Sequence, residues 1–224
     1  MKFRDIQLLT AVHDNEQYRF LMDYWENLRD IFCTLLPANF DFNGISKLNI
    51  YLGEFEGEEY KAPLSNGIAE FRIRDFDFLA FKELSDHEKS EKSLCYLEYA
   101  LEKLCIKFES PINVSEKFAS ISKQIRGNGF ELTRLYKKTT KWNKGRSLRA
   151  VTTLHNKVGG IDVDFSITNK KGKPVITKKL KSNAYWNSVW FDIFKGYWVD
   201  STFYIENRTG RILYEFKENG EVVT

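Results

Sequence analysis

Read from the N-terminus, the apolar residues first settle into a helical rhythm. Tyr18, Leu21, Met22, Trp25, Leu28, Phe32 and Leu35 recur at three- and four-residue spacing and mark one apolar stripe. Asp14 with Gln17 reads as a capping pair ahead of that helix, and Pro37 as its stop. The upstream KFRDIQLL is too short to assign. The period then drops to two: in KLNIYL, Leu48, Ile50 and Leu52 alternate with polar neighbours, which predicts a half-buried strand. A second strand over 68–74 puts Ala69, Phe71 and Ile73 on one face, and 76–81 is a candidate third.

Helical spacing returns at Ser85, which forms a capping box with Glu88 and opens a helix to about residue 108. Leu94, Leu97, Leu101, Leu104 and Phe108 make its stripe. After Pro111, Asn113 with Glu116 predicts the start of another helix lined by Val114, Phe118, Ile121 and Ile125. It ends at Gly127-Asn128-Gly129, the best place to divide the chain.

From Phe130 onward the period is mostly two, and turn signals recur at 143–145, 159–160, 169–172, 207–210 and 218–220. An antiparallel meander follows from that pattern. Within it, 148–155 and 160–167 read as a hairpin. Leu148, Ala150, Thr152 and Leu154 would share its inner face with Ile161, Val163, Phe165 and Ile167. The segment SNAYWNSVWFDIFKGYW is ambiguous between helix and strand over 183–195. Trp186, Trp190, Phe194 and Trp198 sit four apart, which favours a helix capped by Ser182 or Asn183 and ending at Gly196, with these aromatics in the core.

The expected fold class is therefore α+β: N-terminal helices packed on a small antiparallel sheet, followed by a mainly antiparallel β C-terminal half. Residues 1–128 form an acidic α+β half and 129–224 a basic, β-rich half, and the hinge is short enough for both to share one core.

Composition narrows the class. The chain has 224 residues, of which 42% are hydrophobic and only four are proline, so a disordered or fibrous chain is excluded. No apolar run approaches the ~18 residues of a membrane span, and the first residues carry no secretory pattern, so no membrane is expected. Three cysteines, Cys33, Cys95 and Cys105, lack CxxC spacing and read as buried thiols of a cytoplasmic protein. Sequons at Asn113 and Asn207 would then be fortuitous.

The net charge of +3 conceals an asymmetry. Residues 1–126 carry 16 Lys+Arg against 22 Asp+Glu, whereas 134–181 carry 14 bases against two acids. Segregated charge raises the local concentration of an oppositely charged partner. Bases at Arg134, Lys137, Lys138, Lys141, Arg146, Arg149, Lys170, Lys171 and Lys173 are candidates for nucleic-acid binding, with Tyr136 and Trp142 in register to stack bases. Glu54, Glu56, Glu58 and Glu59 form an acidic tip suited to a cationic protein surface.

Catalytic signatures are sparse. There is no glycine-rich phosphate loop, GxSxG elbow or HExxH, and His13 and His87 read as surface residues. The one constellation with chemistry is His155 with Asp162 and Asp164 on the outer face of the hairpin. Two carboxylates and an imidazole side by side are donors for a divalent metal, which would suit attack on a phosphodiester. Otherwise no catalytic residue, resident metal or cofactor is implied. The balance leans away from an enzyme and towards a non-enzymatic protein-binding module, of the kind of a bacterial immunity or antitoxin-type inhibitor that occludes another protein. The alternative is a nucleic-acid-binding protein or metal-dependent nuclease using 134–181. Oligomeric state is not legible.

Overall fold

A computed structural model describes residues 2–10, 19–53, 57–61, 66–74, 76–217 and 222–223. The chain divides into two compact units, Met1–Glu131 and Leu132–Thr224.

The N-terminal unit opens on a strand, β1 (Asp5–Thr10), followed by α1 (Arg19–Leu35), β2 (Lys47–Leu52), β3 (Tyr60–Lys61) and β4 (Ile68–Ile73). Three helices follow: α2 (Phe78–Glu83), α3 (Asp86–Lys107) and α4 (Ile112–Gly127). The sheet order is β1-β2-β4-β3. Contrary to the expected antiparallel sheet, β1 pairs β2 and β2 pairs β4 in parallel, and only β3 runs against β4. The parallel pairing of β1 and β2 follows from α1, which carries the chain back to the starting edge. Alternation concealed this because β2 and β4 each bury every second residue. A parallel sheet covered on both faces would read as continuously apolar.

Register aligns Ile6, Leu48 and Ala69 in one inward row and Leu8, Ile50 and Phe71 in the next. All six are buried. Helix α1 buries Leu21, Trp25, Leu28, Ile31 and Phe32. Phe118 of α4 is the ring at which the unit converges, in contact with Phe3, Phe32, Phe40 and Phe42 at centroid distances of 5.1–6.1 Å.

Local signals fared unevenly. The Ser85–Glu88 capping box is present, with both reciprocal hydrogen bonds made. Asn113 does not cap α4; Pro111 stands at that boundary without a side-chain hydrogen bond. The candidate strand over 76–81 is instead α2, whose Asp77 carboxylate accepts from the Ala80 N–H. Asp14, Gln17 and Tyr18 lie outside the described residues. Of the thiols, Cys105 is buried and Cys33 half-buried, but Cys95 is exposed on α3 beside Glu91 and Arg126. No helix among the described residues is long and apolar enough to cross a membrane.

The C-terminal unit is built from two antiparallel sheets. The first has β5 (Leu132–Leu135), β7 (Leu148–Lys157), β8 (Gly160–Asn169) and β9 (Pro174–Ala184) in that order, with β6 (Lys141–Trp142) also paired to β7. After α5 (Trp186–Asp192) comes the second, β10 (Lys195–Val199), β11 (Thr202–Glu206), β12 (Ile212–Lys217) and β13 (Val222–Val223) in sequential order. Phe165 of β8 stacks on Phe216 of β12 at 4.0 Å and on Phe203 of β11 at 5.5 Å, which fastens one sheet to the other.

The four-residue aromatic spacing proves to run across three kinds of structure. Trp186 and Trp190 belong to α5, Phe194 follows it, and Trp198 is on β10; Ser182 and Asn183 end β9 rather than cap a helix. All four rings are half-buried. The break is enforced at Gly196. A Cβ there would lie 2.6 Å from Phe203 Cζ and 2.9 Å from Thr139 Cα, so the backbone approaches its neighbours too closely for any side chain. Gly196→Ala is therefore expected to destabilise the protein by about 1–3 kcal/mol through overpacking. Gly145→Ala, whose Cβ meets only Ser147 Oγ at 3.9 Å, should shift the urea midpoint far less. Equal shifts for the two variants would contradict this account.

Candidate functional site

The β7–β8 hairpin turns through Val158 and Gly159 and pairs Leu148 with Asn169 at its far end. Ala150, Thr152 and Leu154 of β7, with Ile161, Val163, Phe165 and Ile167 of β8, are buried on the inner face as the alternation requires. The outer face is then a ladder of cross-strand pairs that is polar except at Val151. Arg149 stands beside Thr168, Val151 beside Ser166, Thr153 beside Asp164 and His155 beside Asp162.

His155, Asp162 and Asp164 do share this face, but they are engaged separately. His155 Nε2 lies 3.1 Å from Asp164 Oδ2, and its Nδ1 is 3.0 Å from the hydroxyl of Thr133 on β5. In the tautomer protonated at Nε2, the ring donates to Asp164 and accepts from Thr133. Sequence reasoning missed Thr133. Only the pairing of Thr133 with His155 across β5 and β7 brings it there. The order hydroxyl, imidazole, carboxylate is one that nucleophilic catalysis uses. Here it lies on an open sheet face, with the His155 and Asp164 side chains 37% and 41% exposed, and it ties three strands together.

Asp162 is committed elsewhere. It sits opposite a bulge, where two residues of β9, Ser182 and Asn183, face it between the paired positions Ile161–Ala184 and Val163–Lys181. Asn183 has φ +48°, and its N–H donates to Asp162 Oδ1 at 2.9 Å. Lys157 and Lys179 donate to Oδ2 at 2.9 and 3.1 Å. The bulge also explains Gly160, where a Cβ would come within 2.8 Å of the Asn183 carbonyl carbon. With two ammonium groups on its carboxylate, Asp162 is not placed to join Asp164 on a metal. No group of three metal-ligating side chains forms among the described residues.

The candidate bases fall into two sets. At the Leu148–Asn169 end of the sheet, the β6–β7 and β8–β9 turns lie side by side. Asn143 Oδ1 accepts from the Ser147 and Leu148 N–H groups, and Asn169 Oδ1 from those of Lys171 and Lys173. These side chains shape both turns and leave Lys144, Arg146, Lys170, Lys171 and Lys173 exposed. None of the five pairs with a carboxylate among the described residues. Lys141 is exposed beside them, and Trp142, 44% exposed, lies across from Arg149, whose guanidinium stands 5.6 Å from the ring centroid.

The second set sits along β5 and the turn after it and is more occupied. Arg134 is half-buried over Trp186 and Lys138 stands over Phe194, while Lys137 is exposed. Tyr136 is buried at 5% exposure and belongs to the core, so it offers no face to a base. On β9, Lys179 is held by Asp162 and Lys181 by Asp192 at 2.6 Å. In the acidic tip, Glu58 is exposed and Glu59 accepts from the Tyr99 hydroxyl at 3.1 Å. Glu54 and Glu56 lie outside the described residues.

No protein-family model, curated protein or solved structure matches the chain.

Partial burial pushes the Asp162 carboxyl up, but the Asn183 N–H and the two lysines outweigh it and hold it at about 2. Its folded value thus lies below the unfolded value near 3.9, so the stabilisation is present above about pH 4 and is lost as pH falls towards 2. Allowing for solvent screening, it amounts to roughly 1 kcal/mol. Asp162→Asn should lower the denaturant midpoint at pH 6 and flatten the wild-type loss between pH 4 and 2. An unchanged acid limb in that variant would show that the lysine clamp contributes nothing.

Proposed function

We propose that the C-terminal unit binds single-stranded nucleic acid across the basic end of its first sheet. One observation carries this reading. The hairpin register brings two basic runs, 141–149 and 170–173, to the same end of one sheet, where the turn cations have no acidic partner among the described residues. Unpaired cations grouped at one edge supply the backbone-tracking charge that a nucleic acid needs, because each phosphate they neutralise releases a counterion. Trp142 adds an exposed ring beside them, and stacking of a base on such a ring contributes about 1–3 kcal/mol. Exposed aromatic faces favour unstacked bases, which only a single strand presents.

Fluorescence anisotropy with a labelled 12-nucleotide single strand tests this. Replacing Lys170, Lys171 and Lys173 by alanine should lower the slope of log K against log salt by about 2, near 0.7 per lost phosphate contact. Trp142→Ala should weaken binding with little change in that slope. No binding at low salt, or equal binding by wild type and the triple variant, would overturn the proposal.

A second reading is an occluding inhibitor of a cationic protein, of immunity or antitoxin type. It is favoured by the acidic excess of residues 1–126 and the exposed Glu58. In that case charge reversal at Glu58 and Glu59 should slow association with the partner while the lysine variant leaves it unchanged.

A further inference from the structure

Within the N-terminal unit, α3 and α4 bound a groove of about 590 Å³. Its floor is apolar, formed by the buried Leu101 and Cys105 of α3 and Phe118 of α4. Ala119 and Ile112 are exposed in its wall and mouth. The size falls in the range of small-molecule sites, about 300–1,000 Å³.

Two features give the groove a chemical preference. Ser122 lines it at 1% exposure, and its hydroxyl has no hydrogen-bond partner among the described residues. A buried hydroxyl left unpaired is costly, so a ligand atom that satisfies it gains free energy at that point. The rim, in turn, carries Glu98 and Glu102 on α3 and Glu116 on α4. Arg126 engages Glu98 through contacts of 2.6 and 2.7 Å. Glu102 and Glu116 are exposed, and no cation pairs with either among the described residues.

We infer that the α3–α4 groove binds a small organic cation with an apolar body, of the alkyl- or arylalkylammonium class. The body rests on Leu101, Phe118 and Ala119, the ammonium group lies between Glu102 and Glu116, and a polar ligand atom meets Ser122. An anion of the same size and shape faces carboxylates at the mouth and is rejected. The site is independent of the nucleic-acid reading, since every residue in it belongs to the N-terminal unit.

Dansylcadaverine, an arylalkylammonium fluorophore, tests the inference on the full chain, with 1-anilinonaphthalene-8-sulfonate as the anionic counterpart. The expected result is saturable one-to-one binding of the cation with blue-shifted emission, and markedly weaker binding of the anion. Glu102→Gln with Glu116→Gln should weaken the cation about tenfold at low salt while leaving the denaturant midpoint in place. Ala119→Trp, at an exposed position, should block the groove. Equal binding of the two probes, absence of saturation, or a double glutamine variant that binds as tightly as wild type would overturn the inference.

Discussion

Phe165 is the contact on which the C-terminal unit turns. Its ring, stacked on Phe216 at 4.0 Å, can sit between the two sheets only if β8 presents its odd-numbered residues inward. A slip of one residue would drive Asp162 and Asp164 into that core and Phe165 into water. The buried row Ile161, Val163, Phe165 and Ile167 therefore sets the register against β7. Register in turn decides which turns are neighbours. The basic end of the sheet is thus a consequence of core packing, although none of its cations touches Phe165.

The same face separates its charges by what they meet. Acids at one end are consumed by neighbours, Asp164 by His155 and Asp162 by Lys157 and Lys179. Cations at the other end stand on turns whose backbone hydrogen bonds are supplied by Asn143 and Asn169, so the lysine side chains are left to solvent. Exposed ion pairs contribute little stability, but unpaired like charges at one edge add to a directional field. The N-terminal unit has a different economy. Phe118 gathers four phenylalanine rings on one side of α4, while the neighbouring side, with α3, forms a groove rimmed by glutamates.

Elements were legible wherever a local signal and the tertiary environment agreed. Ser85 and Glu88 satisfy each other across three residues whatever surrounds them, so the start of α3 is written in the sequence. The β7–β8 hairpin was readable for a similar reason, since strict alternation has only one way to bury its apolar face. Asn113 failed as a cap because Pro111 already held the helix boundary. The aromatic repeat from Trp186 to Trp198 marked a helix, α5, but overran its end, because α5 stops at Asp192 and Gly196 enters a strand under Phe203. Periodicity counts spacing, and it does not register that a backbone must pass close to a ring.

Parts of the candidate site divide in the same way. Composition and alternation alone located a basic β-rich segment, put His155, Asp162 and Asp164 on one face, and buried the partners of Phe165. They did so because alternation is a local property of an extended chain. Only the tertiary structure decided that β1, β2 and β4 run parallel, that Thr133 and Asp164 rather than Asp162 hydrogen-bond His155, and that Tyr136 is core while Trp142 is surface. Each of these depends on which strands become neighbours and where a bulge falls. Both are set by long-range packing, which no local window of the sequence contains.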